Sequence, residues 1–181
     1  MADPTDLHAV ALEILELSTE ALDTIPIADT DRQGAPPRRF VHFGPPIADC
    51  PDQLTVHVTP VLELDTSPGG LDAGKRTNRA WRNSATFVIV ITRCVPVGGE
   101  NAGAWVPPSA DALTAASAQH NADVWALWNY LHGAKASEEF LTLCDQTFFD
   151  GANAIIPIGD IAGWQMTVRA VLDGYAVPFG T

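Results

Sequence analysis

Residues Ala85 to Val95, ATFVIVITRCV, alternate with a period of two and stay apolar on both faces. Val88 and Val90 point one way, while Phe87, Ile89 and Ile91 point the other. A strand that is apolar on both sides belongs inside a sheet covered on both sides. The fold must therefore enclose this segment or share it with a copy of itself. That makes Phe87, Ile89 and Ile91 candidates for second-layer packing or for a subunit interface.

A second strand is legible upstream. Leu54, Val56 and Val58 alternate with Thr55, His57 and Thr59, and Pro60 stops or kinks the run. Val61 to Leu64 reads as an edge continuation. The simplest pairing makes this strand and Ala85–Val95 the arms of one antiparallel hairpin. With its tip near Asp72, Val56 falls roughly opposite Val88, and Cys50 roughly opposite Cys94.

Two helical patterns flank the hairpin. Leu7, Val10, Ala11, Ile14, Leu17, Ala21 and Leu22 recur at helical spacing, with Asp3 as cap, Pro4 at the first position and Pro26 at the end. Ser109 caps a second helix running to about Leu131, with Gly133 as its C-cap. A short helix from Ser137 to about Phe148 is also expected. Arg38 to Phe43 reads as a short strand. Ala154–Ile158 and a strand carrying Trp164, Met166, Val168 and Ala170 on one face read as a closing hairpin. This order predicts one α+β domain over 1–181, with an antiparallel or mixed sheet of four to five strands and helices mainly on one face. Loops are expected near 29–37, 66–79 and 96–108.

The chain has 181 residues and a formal net charge of -12. Such a charge disfavours general binding to phosphate backbones. No apolar run is long enough to span a bilayer, and Met-Ala-Asp-Pro does not open a secretory signal, so a cytoplasmic, non-membrane protein is expected. Four of the ten basic residues, Lys75, Arg76, Arg79 and Arg82, crowd the hairpin tip. They form either a contact loop for an acidic partner or DNA, or simply a solvated turn.

Phosphate-cradling loops, the nucleophile elbow, zinc-protease spacing and calcium loops are all missing from the sequence. No catalytic, cofactor or metal residues are assigned. His8, His42, His57, His120 and His132 read as surface or interface residues. An enzyme with dispersed groups would have to recruit Asp49, His57 and Asp160. Cys50 and Cys94 form either a cross-strand disulfide or two small buried thiols, and a reducing cytoplasm favours the thiols. Cys144 reads as a core residue on a helix. Trp125 falls beside its helix face and Trp105 in a Gly-rich loop, and an exposed Trp marks an interface.

Four segments in order, CPDQLTVHVTPV (50–61), ATFVIVITRCVPV (85–97), ADVWALWNYLHG (122–133) and GDIAGWQMTVRAVLDG (159–174), preceded by an amphipathic helix, resemble the tail terminator and neck proteins of long-tailed bacteriophages. The resemblance implies a structural, non-enzymatic role in the virion, assembled in the host cytoplasm. It implies a ring, usually of six subunits, that caps the tail tube and joins it to the head connector. The partners would be other copies of the chain, the major tail tube protein and the connector or stopper. DNA would pass through the channel without specific binding. A stopper or adaptor one ring away is the nearest alternative.

Overall fold

The structure is a computed structural model that describes residues 7–24, 34–45, 52–65, 81–101, 104–137, 144–158 and 160–172. The chain order is α1 (Leu7–Thr24), β1 (Arg38–Phe43), β2 (Gln53–Asp65), β3 (Trp81–Cys94), β4 (Gly99–Asn101), β5 (Ala104–Val106), α2 (Ala110–Ala136), β6 (Cys144–Ile158) and β7 (Ile161–Leu172). Five strands form one sheet in the order β1-β2-β3-β7-β6, and β4-β5 form a separate hairpin. β1 pairs with β2 in parallel, and the other pairs of the main sheet are antiparallel. The result is a mixed α+β sheet with helices packed on it.

β3 is the central strand. Its inward residues Ala85, Phe87, Ile89 and Ile91 join Leu54, Val56 and Val58 of β2 and Met166, Val168 and Ala170 of β7 in the core. The same core takes Val10, Ala11, Ile14, Ala21 and Leu22 from α1, and Ala126, Leu127 and Leu131 from α2. Each large apolar side chain so buried contributes about 1.5–3 kcal/mol relative to exposure. On the opposite face of β3, Val90 and Thr92 are fully buried and Val88 and Thr86 half-buried. Both faces of the strand are therefore enclosed along its middle.

The β2–β3 register differs from the sequence expectation by one residue. Val56 lies opposite Ile89, and His57 lies opposite Val88. Pairing by burial explains the difference: with a period of two, this register sets Val56 and Ile89 on the same helix-covered face. β2 runs on through Pro60 to Asp65, with the register shifting between Thr59 and Leu62.

Three further expectations change. The stretch from Ser137 to Phe148 is not a helix where described. Residues 138–143 lie outside the described residues, and Cys144 opens a 15-residue strand. Long-range pairing with β7 decides this, and register shifts at Cys144/Gln146, Phe149/Gly151 and Ile155/Ile158 break the alternation that would have marked a strand. At one of those shifts Gly151 adopts φ 115°, a conformation that favours glycine. α2 continues past Gly133 to Ala136 and is capped by Ser137, whose N–H donates to the Gly133 carbonyl at 3.1 Å. The 96–108 stretch contains the β4–β5 hairpin. At the other end of α2, the Ser109 hydroxyl accepts from the Ala112 N–H at 3.1 Å, the expected cap. Asp3, Pro4 and Pro26 lie outside the described residues.

Candidate functional site

The alternation that carries Ala85, Phe87, Ile89 and Ile91 to the core face brings Arg93 there as well, at the end of β3. Its neighbour on β7 is Ala162, small enough to leave room for the guanidinium. Arg93 is 3% exposed and Asp123 on α2 is 1% exposed. Arg93 donates from Nε to Asp123 Oδ2 at 3.0 Å and from Nη2 to Asp123 Oδ1 at 3.1 Å. Nη2 also donates to the Gly34 carbonyl at 2.7 Å, and Nη1 to Asp52 Oδ2 at 3.3 Å. Asp52 Oδ1 in turn accepts from the Cys94 N–H at 2.7 Å.

One guanidinium thus ties β3, α2, the approach to β2 and the segment before β1 together. Burial pushes the Arg93 pKa down, but hydrogen bonds and charge from Asp123, then Asp52, outweigh it and raise the pKa above its ordinary value. With every guanidinium nitrogen engaged, this node works as a clamp rather than as a reactive group. The sequence signal for it was a charge interrupting an apolar face, at Arg93 on β3 and at Asp123 on α2.

His120 lies one turn before Asp123. It is buried, and its Nε2 has no hydrogen-bond partner among the described residues. Burial lowers its pKa first; Asp123 opposes the shift and Arg93 reinforces it. The ring lines an open groove of about 990 Å³ between the first half of α2 and the β6–β7 hairpin, with Leu113, Ala116, Val95, Ile155 and Trp164. Leu113 is 47% exposed there.

His57 is on the face of β2 away from the helices, yet fully buried. Its Nε2 lies 2.7 Å from Thr55 Oγ1, and its ring meets that of His42 edge-on at 5.5 Å. Burial, then the charge of His42, lowers its pKa, while the Gly44 backbone opposes the shift. The surface reading of His57 and His120 is corrected: both rings are enclosed, and both are held towards the neutral form.

The tip residues Lys75, Arg76 and Arg79 lie outside the described residues. Arg82 is on β3, opposite Leu64. Phe87, Ile89 and Ile91 are covered by this chain's own helices, so they are second-layer packing and not surface. Asp49 lies outside the described residues. Asp160 sits at the β6–β7 turn, where its carbonyl accepts from the Val95 N–H just beyond β3, whereas His57 lies opposite Val88 in the middle of that strand. The structure does not bring that pair together. Among the described residues, no group of three or more His, Cys, Asp or Glu could hold a metal ion, and no helix is long and apolar enough to cross a membrane.

Cys94 is exposed and disulfide-bonded, and Cys144 is a half-buried free thiol on β6. The expectation of a buried thiol at position 94 is therefore overturned, and Cys144 lies on a strand rather than a helix. Cys50 lies outside the described residues. Cys94 shares its face of β3 with the buried Val90 and Thr92, and is exposed as the last residue of the strand.

Trp105 on β5 is 69% exposed and Trp125 on α2 is 55% exposed. Both edge strands also expose a phenylalanine, Phe43 on β1 at 55% and Phe148 on β6 at 41%. Comparison of the chain with protein-family models and with curated proteins gives no match to either.

Proposed function

We propose that this chain is a structural subunit of a bacteriophage virion, a tail terminator whose ring caps the tail tube and joins it to the head connector. The observation that carries this reading is the pair of phenylalanines exposed on opposite edges of one sheet, Phe43 on β1 and Phe148 on β6. A subunit inside a closed ring needs two different surfaces on different flanks, and exposed aromatic side chains supply such surfaces. Trp125 and Trp105 add to them. The four segments that carry the family resemblance contribute β2, β3, the second half of α2 and β7, so the resemblance falls on the scaffold of the domain. The net charge of -12 suits a channel through which DNA slides without sticking.

Cryo-electron microscopy of the phage particle that encodes this chain tests the reading. The chain should fit a ring between the tail tube and the head connector. Density for this chain one ring nearer the head would make it a stopper instead. Its absence from purified particles would sink the structural role altogether.

A further inference from the structure

Apolar surface is left uncovered twice at one end of this domain. The first instance is the β4–β5 hairpin, which stands apart from the main sheet. Val97 before β4, and Trp105 and Val106 on β5, are all exposed. The indole of Trp105 lies directly over Gly98, where a Cβ would run into its ring. That seat holds one side of the ring against the hairpin and leaves the rest outward. Pro96 stands at one base of the hairpin, and Pro107 and Pro108 at the other. Their fixed φ angles stiffen both stems, so the indole is presented on a pre-set arm.

The second instance is the groove between the first half of α2 and the β6–β7 hairpin. Its walls include Leu113, Ile155 and Trp164, and among the described residues none that lines it is Asp, Glu, Lys or Arg. Val95 and Pro96 belong to the same wall and lead straight into β4. Hairpin and groove are therefore neighbours, yet within one chain the hairpin does not cover the groove: Leu113 and Trp105 both stay exposed.

We propose that this groove receives Trp105 from the β4–β5 hairpin of a second copy of the chain. Copies with a net charge of -12 repel one another, so a contact between them needs surfaces free of charge, and the groove is such a surface. The hairpin can reach: from Val97 to Asn101 it extends about 14 Å, more than the thickness of one packed layer. The area is of the right order. Trp105, with an equal area of groove wall, removes about 300–500 Å² from water. Val97, Val106 and Leu113 add to that. Each chain gives one hairpin and receives one, which brings its total towards the roughly 1,200 Å² of a stable complex. Knob and slot are different surfaces, so the exchange closes either around a ring or as a reciprocal pair. The contact needs only self-association and does not depend on the virion reading.

The test uses the full chain and light scattering over a dilution series. Wild type should form oligomers that hold or tighten with added salt, because salt screens the repulsion between copies and leaves the apolar contact intact. Trp105→Ala should lower the association constant by roughly thirtyfold, the loss expected of a central aromatic anchor. Leu113→Glu, which places a charge in the slot, should lower it by roughly tenfold or more. Both positions are exposed, so the urea midpoint of each variant should stay near that of wild type. Mixing the two variants should give pairs, because one keeps an intact groove and the other an intact hairpin. Gly98→Ala should weaken association as well, since the added methyl displaces the indole from its seat without removing apolar surface. A chain monomeric at every concentration overturns the contact. So does an association that Trp105→Ala and Leu113→Glu leave unchanged, or a mixture of the two that stays monomeric. If particles show a ring and Trp105→Ala leaves it intact, the contact is wrong and the ring reading stands.

Discussion

Arg93 and Asp123, thirty positions apart in sequence, form a two-pronged ion pair that fastens the central strand to α2. Both side chains are at least 97% buried, so neither charge has water as an alternative partner. Removing one member leaves the other buried with less compensation, at a cost of about 3–5 kcal/mol. Asp123→Ala and Arg93→Ala should each cost about that much in urea unfolding. Replacing both by apolar residues of similar volume, Arg93→Met with Asp123→Leu, should cost less than either single change. A double variant as unstable as the sum of the singles would contradict the coupling.

The two enclosed histidines give stability a pH dependence. His57 and His120 have folded pKa values below the ordinary 6.5, so the unfolded chain binds protons that the folded chain refuses. Their contribution is fully present above 6.5 and declines as pH falls from 6.5 towards the lowered folded values. Urea unfolding at about pH 7.5 and about pH 5.5 should show the loss. The slope should flatten in His57→Gln and in His120→Gln, whatever their absolute stability. An unchanged slope in both variants would assign the acid sensitivity to carboxylates alone.

Two glycines predict shifts of opposite sign. A Cβ on Gly163 would run into the backbone of Ile91 and Thr92 on the neighbouring strand. Gly163→Ala should therefore destabilise by about 1–3 kcal/mol. Gly133 lies inside α2 with nothing near its missing side chain. Gly133→Ala should stabilise by about 1 kcal/mol, because alanine is the better helix former. Thermal unfolding of the two variants side by side reads both shifts.

The thiols can be counted directly. With Cys94 bonded and Cys144 free, unfolding without reductant should expose one reactive thiol, and reduction should expose all three cysteines. Three reactive thiols without reductant would contradict the bond.

Much of this domain is determined by local pattern. The double-faced apolar run at 85–95 imposed a central strand, and the helical spacing from Leu7 to Leu22 imposed α1. Ser109 started α2, and Trp164, Met166, Val168 and Ala170 marked the inward face of β7. Each of these is a local preference that agrees with the tertiary fold, so the sequence alone sufficed. The end of β6, Ala154–Ile158, was legible as an arm of the closing hairpin, but its earlier part from Cys144 was not, because its bulges erase the period of two. The β2–β3 register was settled by burial under α1 and α2, which no single strand encodes. The ion-pair node joins residues from four separate segments, and only the packed layers bring them within hydrogen-bond distance. Side-chain periodicity acts over a few residues, whereas the desolvation that gives a buried charge pair its meaning exists only once the chain has closed around it.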